Sequence, residues 1–468
     1  MVFPIVGGTQ DTGYKIDNSL RFADSNYLTR DNTSQSGAGD NFTFSAWVKM
    51  STYGHGGYQG IFSIFKDSND YFEIYKDNGL GDNAGSENLQ ICQNINGTNV
   101  CYQIQDYEFA DYSAWYHLVI NFNNSESSEV DKVSIYVNGT EIAGAVTNSN
   151  PFDDVGLGST DYDTRVGAYR DNTSATWNGY MADVHLIAGQ TLAASYFGET
   201  NDNGVWIPKK YTGTFGANGF KLKFLQTGTS QNSSGIGADT SGEDNHLAVT
   251  GIASGDVTTD TPTNNFATLN PIDKAGNGAV TLSEGNLKAA VEDNGNTRGS
   301  IYVNSGKWYW ETLIVSGDSV ATVGIAEPGF YSGNLFDSSS TAKGYIYINN
   351  GQKRSPAGSA SSYGSSYAND DIIGVALNMD DGEVKFYKNN TVQNSGTAAF
   401  TSLSGDHGIY YQGYGGTATV ILNTGHDSSF AGEKTAQNNT DENGYGDFYY
   451  SPPSGFYALN TKNLAEYG

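Results

Sequence analysis

Two stretches 250 residues apart, Val133-Ser-Ile-Tyr-Val-Asn-Gly-Thr-Glu-Ile142 and Glu383-Val-Lys-Phe-Tyr-Lys-Asn-Asn-Thr-Val392, carry one pattern. β-Branched or aromatic residues alternate with polar ones at period 2. Each run then meets a two-residue turn, Asn138-Gly139 or Asn389-Asn390, whose residues tolerate the positive φ that a type I′ hairpin turn requires. Each hairpin comes late in a run of similar short strands. The chain is therefore expected to carry two antiparallel β-sandwiches in tandem. Its 468 residues suit two or three domains, of which two is the preferred count. With 59 Gly, 32 Tyr and 22 Phe but only 16% charged residues, the composition fits a turn-rich β protein and excludes a helical or disordered chain.

A formal net charge of −27 and a sequence pI near 4.3 set up a field that repels nucleic-acid backbones and anionic membranes, so no nucleic-acid partner is expected. The start, Met-Val-Phe-Pro-Ile-Val-Gly-Gly, shows no basic leader, apolar core or small-residue cleavage site. No run approaches the roughly 18 apolar residues of a membrane span, so no membrane insertion is expected. Surface-like composition without an export signal points either to the cytosol or to release by lysis.

The two cysteines, Cys92 and Cys101, flank Asn96-Gly97 symmetrically. If that dipeptide is a two-residue turn, Cys92 falls opposite Cys101 in a non-hydrogen-bonded pair, where side chains lie closest and a cross-strand disulfide can form. Two reduced neighbours are the alternative. Metal binding is disfavoured because no further Cys or His lies near them.

Strand patterns recur at 16–22, 41–50, 61–65, 71–75, 115–122, 164–169 and 179–187. They resume from 279 through 299–303, 307–315, 319–325, 344–348, 371–378, 408–411 and 417–423. Between them, residues 226–278 are rich in Thr, Ser, Gly, Asp and Asn. The expected organisation is a first sandwich at 1–225, a loop-rich connector at 226–278, a second sandwich at 279–435, and a C-terminal segment at 436–468 packed on the second domain. Helix signals are almost absent, apart from a short turn near 193–197.

Phe42-Thr-Phe-Ser-Ala-Trp-Val48, Trp115-Tyr-His-Leu-Val119, Arg165-Val-Gly167 and Gly179-Tyr-Met-Ala-Asp-Val184 occur in the order and spacing of a laminin-G-like, concanavalin-A-like lectin/glucanase domain, which the first half resembles. Gly306-Lys-Trp-Tyr-Trp-Glu311, Val323-Gly-Ile325, Asp371-Ile-Ile-Gly-Val-Ala-Leu377 and Val384-Lys-Phe-Tyr-Lys-Asn-Asn390 make the second half similar to a SPRY domain. There Thr424 stands where that family usually has Phe, in Asn423-Thr-Gly425. Gly204-Val-Trp-Ile-Pro-Lys-Lys-Tyr211, Thr261-Pro-Thr-Asn-Asn-Phe-Ala-Thr-Leu-Asn-Pro271 and Phe3-Pro-Ile-Val-Gly-Gly8 resemble segments of tailed-phage structural proteins, especially those of marine bacteria, which pair these two domains. These resemblances imply an all-β fold, a concanavalin-A-like jelly roll followed by a SPRY-type sandwich. They also imply a virion-surface location, with assembly in the host cytoplasm and release by lysis.

No catalytic residue is assigned. Glucanases on this fold use closely spaced carboxylates on one strand, and no Glu-x-Asp-x-x-Glu pattern occurs; Glu73 with Asp77, and Glu311 alone, are the nearest groups. Asp380-Asp-Gly-Glu383 reads as a turn. The six histidines, 55, 117, 185, 246, 407 and 426, have no metal-ligand spacing and no nucleophile motif around them. No cofactor is expected. Calcium is the one ion considered, through Asp67, Asp70, Asp153 and Asp154, for which solvated Asx turns are the plainer reading. Ligand contacts are expected from aromatic residues on loops: Tyr53, His55 and Tyr58 in the first domain, and Tyr331, Tyr363, Tyr367, Tyr411 and Tyr414 in the second.

The function expected is that of a non-enzymatic virion protein, a tail or head fibre or appendage whose lectin-like domains attach to host-surface glycan or protein. A capsid-decorating protein, a tail or baseplate component and a glycan hydrolase are the alternatives. Expected partners are other virion proteins and the host surface. By analogy with phage fibres the expected assembly is a homotrimer.

Overall fold

The two hairpins form as their sequences require. Asn138 (φ 48°) and Gly139 (φ 78°) join Val133–Val137 to Thr140–Ile142, and Asn389 (φ 45°) and Asn390 (φ 65°) join Glu383–Lys388 to Thr391–Val392. They belong to a computed structural model that describes residues 13–23, 25–33, 41–51, 57–78, 87–104, 107–170, 172–276, 278–317, 320–329, 344–356 and 358–468. These fall into two units, 13–263 and 264–468, each built mainly of antiparallel sheets.

In the first unit one sheet runs Thr140–Ile142, Val133–Val137, Trp115–Asn123, Asn41–Met50, Gly179–Ala188, Ser19–Phe22, Val257–Thr258. The facing sheet runs Gly144–Val146, Thr98–Ile104, Glu87–Ile95, Asp70–Asn78, Tyr58–Asp67, Asp163–Val166, Tyr27–Asp31, Ala248–Thr250. Period-2 alternation sends Phe42, Phe44, Ala46 and Val48 inward to meet Phe62 and Phe72, and Phe42 packs edge-on to Phe72 at 5.3 Å between ring centres. The strand Tyr58–Asp67 passes so close to Tyr169 that a Cβ on Gly60 would lie 2.0 Å from the Tyr169 backbone nitrogen, so only glycine fits there.

The outer face of the first sheet is not in water. Trp47, Trp115 and Tyr180 pack there with Ile16, while Val119 and Ile187 pack under Phe197, Tyr211 and Phe215. The polar residues that alternate onto this face are therefore buried and have to be paired. Lys49 bonds Asp260 at 2.8 Å, Arg21 bonds Asp256 at 3.0 Å, and Lys221 bonds Asp183 at 3.0 Å. Asp260 and Asp256 lie in the segment expected to be a connector. Residues 226–263 are instead part of the first unit: Ile236 and Leu247 enter its core, and Ala248–Thr250 and Val257–Thr258 add edge strands to its two sheets. The Thr-, Ser-, Gly-, Asp- and Asn-rich composition that suggests a linker belongs to a segment that contributes backbone pairing and charge beside a few core side chains.

In the second unit one sheet runs Leu269–Gly276, Gly295–Val303, His407–Tyr414, Val320–Ala326, Gly344–Ile348, Gln352–Arg354, Ser361–Ser362. The other runs Val280–Ser283, Lys288–Val291, Ala418–Asn423, Lys307–Gly317, Ile372–Asn378, Glu383–Lys388, Thr391–Val392. Trp308, Trp310, Tyr347, Phe386 and Tyr411 fill the space between them. The chain from Phe430 onward covers the outer face of the second sheet, where Phe448 and Ala458 pack on Tyr309 and Phe430 packs on Leu313 and Ile421. Glu311 anchors this cover by accepting the backbone N–H groups of Tyr449 (2.8 Å) and Tyr450 (2.7 Å). The single α-helix among the described residues, Thr461–Tyr467, is capped by the Asn460 side chain, which accepts from the Asn463 N–H.

Candidate functional site

The outer face of the first unit's second sheet is built by strict alternation. In Asp70–Asn78, Phe72 and Ile74 point into the core, which turns Tyr71, Glu73 and Tyr75 outward. Antiparallel register then sets Glu73 beside Cys92 and Cys92 opposite Cys101, and the two sulfurs are bonded. Asn96 (φ 51°) and Gly97 (φ 79°) supply the turn that makes this register.

Glu73 is fully buried and is held by both oxygens: Arg170 donates from Nε at 2.7 Å and from Nη2 at 2.8 Å. Burial pushes this carboxyl up, to about 7, and Arg170 opposes that push. The guanidinium lies 3.8 Å from the Tyr71 ring centre and 4.7 Å from that of Tyr169. Beside it Tyr58 stacks on Tyr169 at 5.0 Å with 26° between the planes and meets Tyr75 edge-on at 5.1 Å. Tyr75 donates to Gln90 Oε1 at 2.9 Å, and Gln90 Nε2 donates to Asp77 at 3.2 Å. Tyr169 and Tyr75 are buried, whereas Tyr58 is 40% exposed. The result is one presented aromatic ring on a rigid base, rimmed by a guanidinium, a carboxamide and a carboxylate, groups suited to stacking on and hydrogen-bonding a sugar or peptide.

Residues 22–195 match the family described as the concanavalin A-like lectin/glucanases superfamily, and residues 307–411 match the SPRY domain family. The chain carries a concanavalin A-like domain followed by a SPRY domain. Similar solved structures include the SPRY domain of human HERC1, at 17% identity over 33% of this chain and 96% of that one, with a TM-score of 0.28. A SAP-like pentraxin from Limulus polyphemus is 17% identical over 38% of this chain and 78% of its own, with a TM-score of 0.27. A putative carbohydrate binding protein from Bacteroides ovatus is 15% identical over 53% and 60%, with a TM-score of 0.33. No curated protein matches the chain. Lectin-like and SPRY domains are binding folds, and the architecture supports a binding role.

In the concanavalin A-like domain the acid–base candidates are occupied. Glu73 and Asp77 stand four residues apart on one strand, about 13 Å at the usual rise, against the roughly 5–9.5 Å between paired glycosidase carboxylates. Ser45 Oγ lies 2.9 Å from His117 Nε2, which invites comparison with a nucleophile and its base. Trp206 Nε1 donates to His117 Nδ1 at 3.0 Å, however, so in the neutral ring Nε2 carries the hydrogen and donates to Ser45. His117 cannot then take the Ser45 proton. Burial pushes it down to about 3, and pushes His185 down to about 4 against the pull of Asp183.

The calcium candidates cap turns. Asp67 accepts from Asn69 N–H, Asp70 from Asn96 N–H, Asp153 from Asp154 N–H and Asp154 from Gly156 N–H. Burial, and after it the charges of Asp70, Asp154, Asp67 and Asp161, push the Tyr162 phenol up to about 12. Among the described residues no three His, Cys, Asp or Glu are placed to hold a metal.

Of the ligand candidates, Tyr53, His55 and Tyr331 lie outside the described residues. Tyr58 and Tyr414 are exposed, at 40% and 41%. Tyr363, Tyr367 and Tyr411 are corrected to core residues of the SPRY domain. Tyr363 accepts from Phe386 N–H, Tyr367 donates to the carbonyls of Ala321 and Tyr347, and Tyr411 bonds Thr312. Each satisfies its hydroxyl internally, which lets a buried tyrosine count as an apolar side chain. Sequence reasoning missed Tyr75, Tyr169, Arg170 and Gln90. The alternation Tyr71-x-Glu73-x-Tyr75 signals one polar aromatic face, but nothing local brings Arg170 to it.

Proposed function

We propose that the protein is a non-catalytic structural protein of a tailed-phage particle, a tail or head appendage that attaches to host-surface glycan through the Tyr58 platform. The observation that carries the binding half of this reading is the exposed Tyr58 ring held by Tyr169 and Tyr75 beside Arg170, Gln90 and Asp77. The virion half rests on the resemblance of segments 3–8, 204–211 and 261–271 to tailed-phage structural proteins. On this reading the chain assembles with other virion proteins in the host cytoplasm as a homotrimer and reaches the host surface after lysis. Engagement of Glu73 and His117 in fixed pairs supports the absence of catalysis.

Tyr58→Ala is the discriminating substitution, because Tyr58 is exposed and bears no buried charge. Loss of one stacking ring is expected to weaken adsorption to host cells about tenfold and to leave the unfolding midpoint unchanged; undiminished adsorption would refute the assignment. Immunogold labelling of particles tests the rest. Label on tails or on few head sites supports an appendage, dense label over the head makes it a decoration protein, and unlabelled particles sink the virion reading.

A further inference from the structure

The last strands of the two SPRY sheets, Ser361–Ser362 and Thr391–Val392, stand at the same side of the sandwich and leave an open cleft of about 410 Å³ lined by residues 362–365 and 391–395. That volume falls within the roughly 300–1,000 Å³ of small-ligand sites. The cleft is braced from below. Gln393, buried, accepts from Ser365 N–H at 2.9 Å and donates to the Thr391 carbonyl at 2.8 Å, tying one rim to the other, while the Tyr347 hydroxyl donates to the Ser365 carbonyl. Gly364 is what lets them approach: a Cβ there would stand 2.8 Å from the Tyr347 oxygen and 2.9 Å from Gln393 Oε1.

One rim adopts a backbone that L-residues rarely hold. Asn394, Ser395 and Gly396 are consecutively left-handed, at φ 50°, 51° and 82°, closed by Gly396 N–H to Gln393 O and Thr397 N–H to Asn394 O, both 3.0 Å. Such conformations persist where the surroundings over-determine them, often at ligand sites. Here the turn aims Asn394 and Ser395, both exposed, at the mouth of the cleft.

The lining chooses the ligand chemistry. Ser362, Ser365, Thr391 and Ser395 offer hydroxyls, Asn394 a carboxamide, and no Asp, Glu, Lys, Arg or His takes part in a chain that holds 51 acidic residues. The Tyr363 ring is turned into the core against Tyr347 and Phe386, so an apolar peptide side chain finds no pocket to fill. We propose that this cleft is a second binding site, distinct from the Tyr58 platform, for a neutral hydroxyl-rich ligand, a segment of an uncharged oligosaccharide. The proposal holds whether or not the protein belongs to a virion.

The test uses the full chain and an immobilised panel of neutral linear oligosaccharides of glucose, galactose, mannose and N-acetylglucosamine. Thr391→Trp and Ser362→Trp each fill the mouth from an exposed position, and Tyr58→Ala removes the other platform. The expected result is an oligosaccharide that Tyr58→Ala still holds through the cleft, with affinity at least about tenfold lower when either Trp substitution is added to Tyr58→Ala, and with unchanged unfolding midpoints. Three results would overturn it: no sugar held by Tyr58→Ala, undiminished binding when either Trp substitution is added to Tyr58→Ala, or capture of an extended-peptide library in place of any sugar. Failure of the first-domain reading shows separately, as host-cell adsorption of Thr391→Trp that does not fall when Tyr58→Ala is added to it.

Discussion

Asp260→Ala is expected to lower the stability of the concanavalin A-like domain by about 3–5 kcal/mol, the usual cost of stranding one member of a buried ion pair. Asp260 and Lys49 are both essentially inaccessible, joined at 2.8 Å, and the second Asp260 oxygen accepts from Trp115 Nε1 at 3.1 Å. Removing the carboxylate leaves an ammonium in a closed layer beneath the chain that covers the sheet, together with an unpaired indole N–H. Replacing both partners, as Lys49→Met with Asp260→Leu, should restore most of the loss, since an apolar pair of similar volume carries no uncompensated charge. Calorimetric transitions of Lys49→Met, Asp260→Leu and the double variant, beside Asp260→Ala, measure this coupling. A cost for Asp260→Ala below about 1 kcal/mol, the level of an exposed pair, would mean that water reaches the layer.

Glu311 carries the second large effect, and its sign depends on pH. Burial pushes this carboxyl up to about 8, although backbone N–H groups of Tyr450 and Tyr449, the Asn423 amide and the Tyr309 hydroxyl all favour its charged form. With a folded value above the unfolded one, near 4.5, the native SPRY domain holds this proton longer than the unfolded chain. Its contribution to stability is therefore fully present below pH ~4.5 and is lost as the pH rises toward about 8. Glu311→Gln removes that titration. It also turns an acceptor into an NH₂ donor against either the Tyr449 or the Tyr450 N–H, at a cost of about 2–4 kcal/mol. At pH 5 the variant should be markedly less stable than wild type, and the gap should narrow by pH 8, because only wild type loses stability over that interval. Denaturant midpoints of the SPRY transition at the two pH values provide the check; a gap that widens with pH would refute the assigned direction.

These effects separate local from nonlocal information. The turn dipeptides Asn138-Gly139, Asn389-Asn390 and Asn96-Gly97 announce two-residue hairpins, because positive φ is a property of the turn residues themselves. Hairpin register in turn sets Cys92 opposite Cys101. Alternation likewise marks Phe42, Phe44, Ala46 and Val48 as one face, and motifs such as Phe42-Thr-Phe-Ser-Ala-Trp-Val48 and Gly306-Lys-Trp-Tyr-Trp-Glu311 carry the resemblances that distinguish the concanavalin A-like half from the SPRY half. Tyr58 was legible as a loop-end aromatic.

The tyrosines buried in the core show where that reading stops. Tyr363, Tyr367 and Tyr411 carry the same side chain as Tyr58, and only the partners of their hydroxyls, supplied by distant strands, put them in the core. Residues 226–263 look like a linker because a sequence shows composition, whereas their role is to bring Asp256 and Asp260 to Arg21 and Lys49 more than 200 positions away. Arg170 reaches Glu73 across 97 positions in the same way. Turn chemistry and strand period act over a few residues, so the sequence by itself determines the strands and their hairpins, and its motifs carry the resemblance to the two domain types. Which outer faces are covered, which charges are paired in the dark and which aromatic ring is left in water depend on contacts between segments far apart in the chain, and only the tertiary structure decides them.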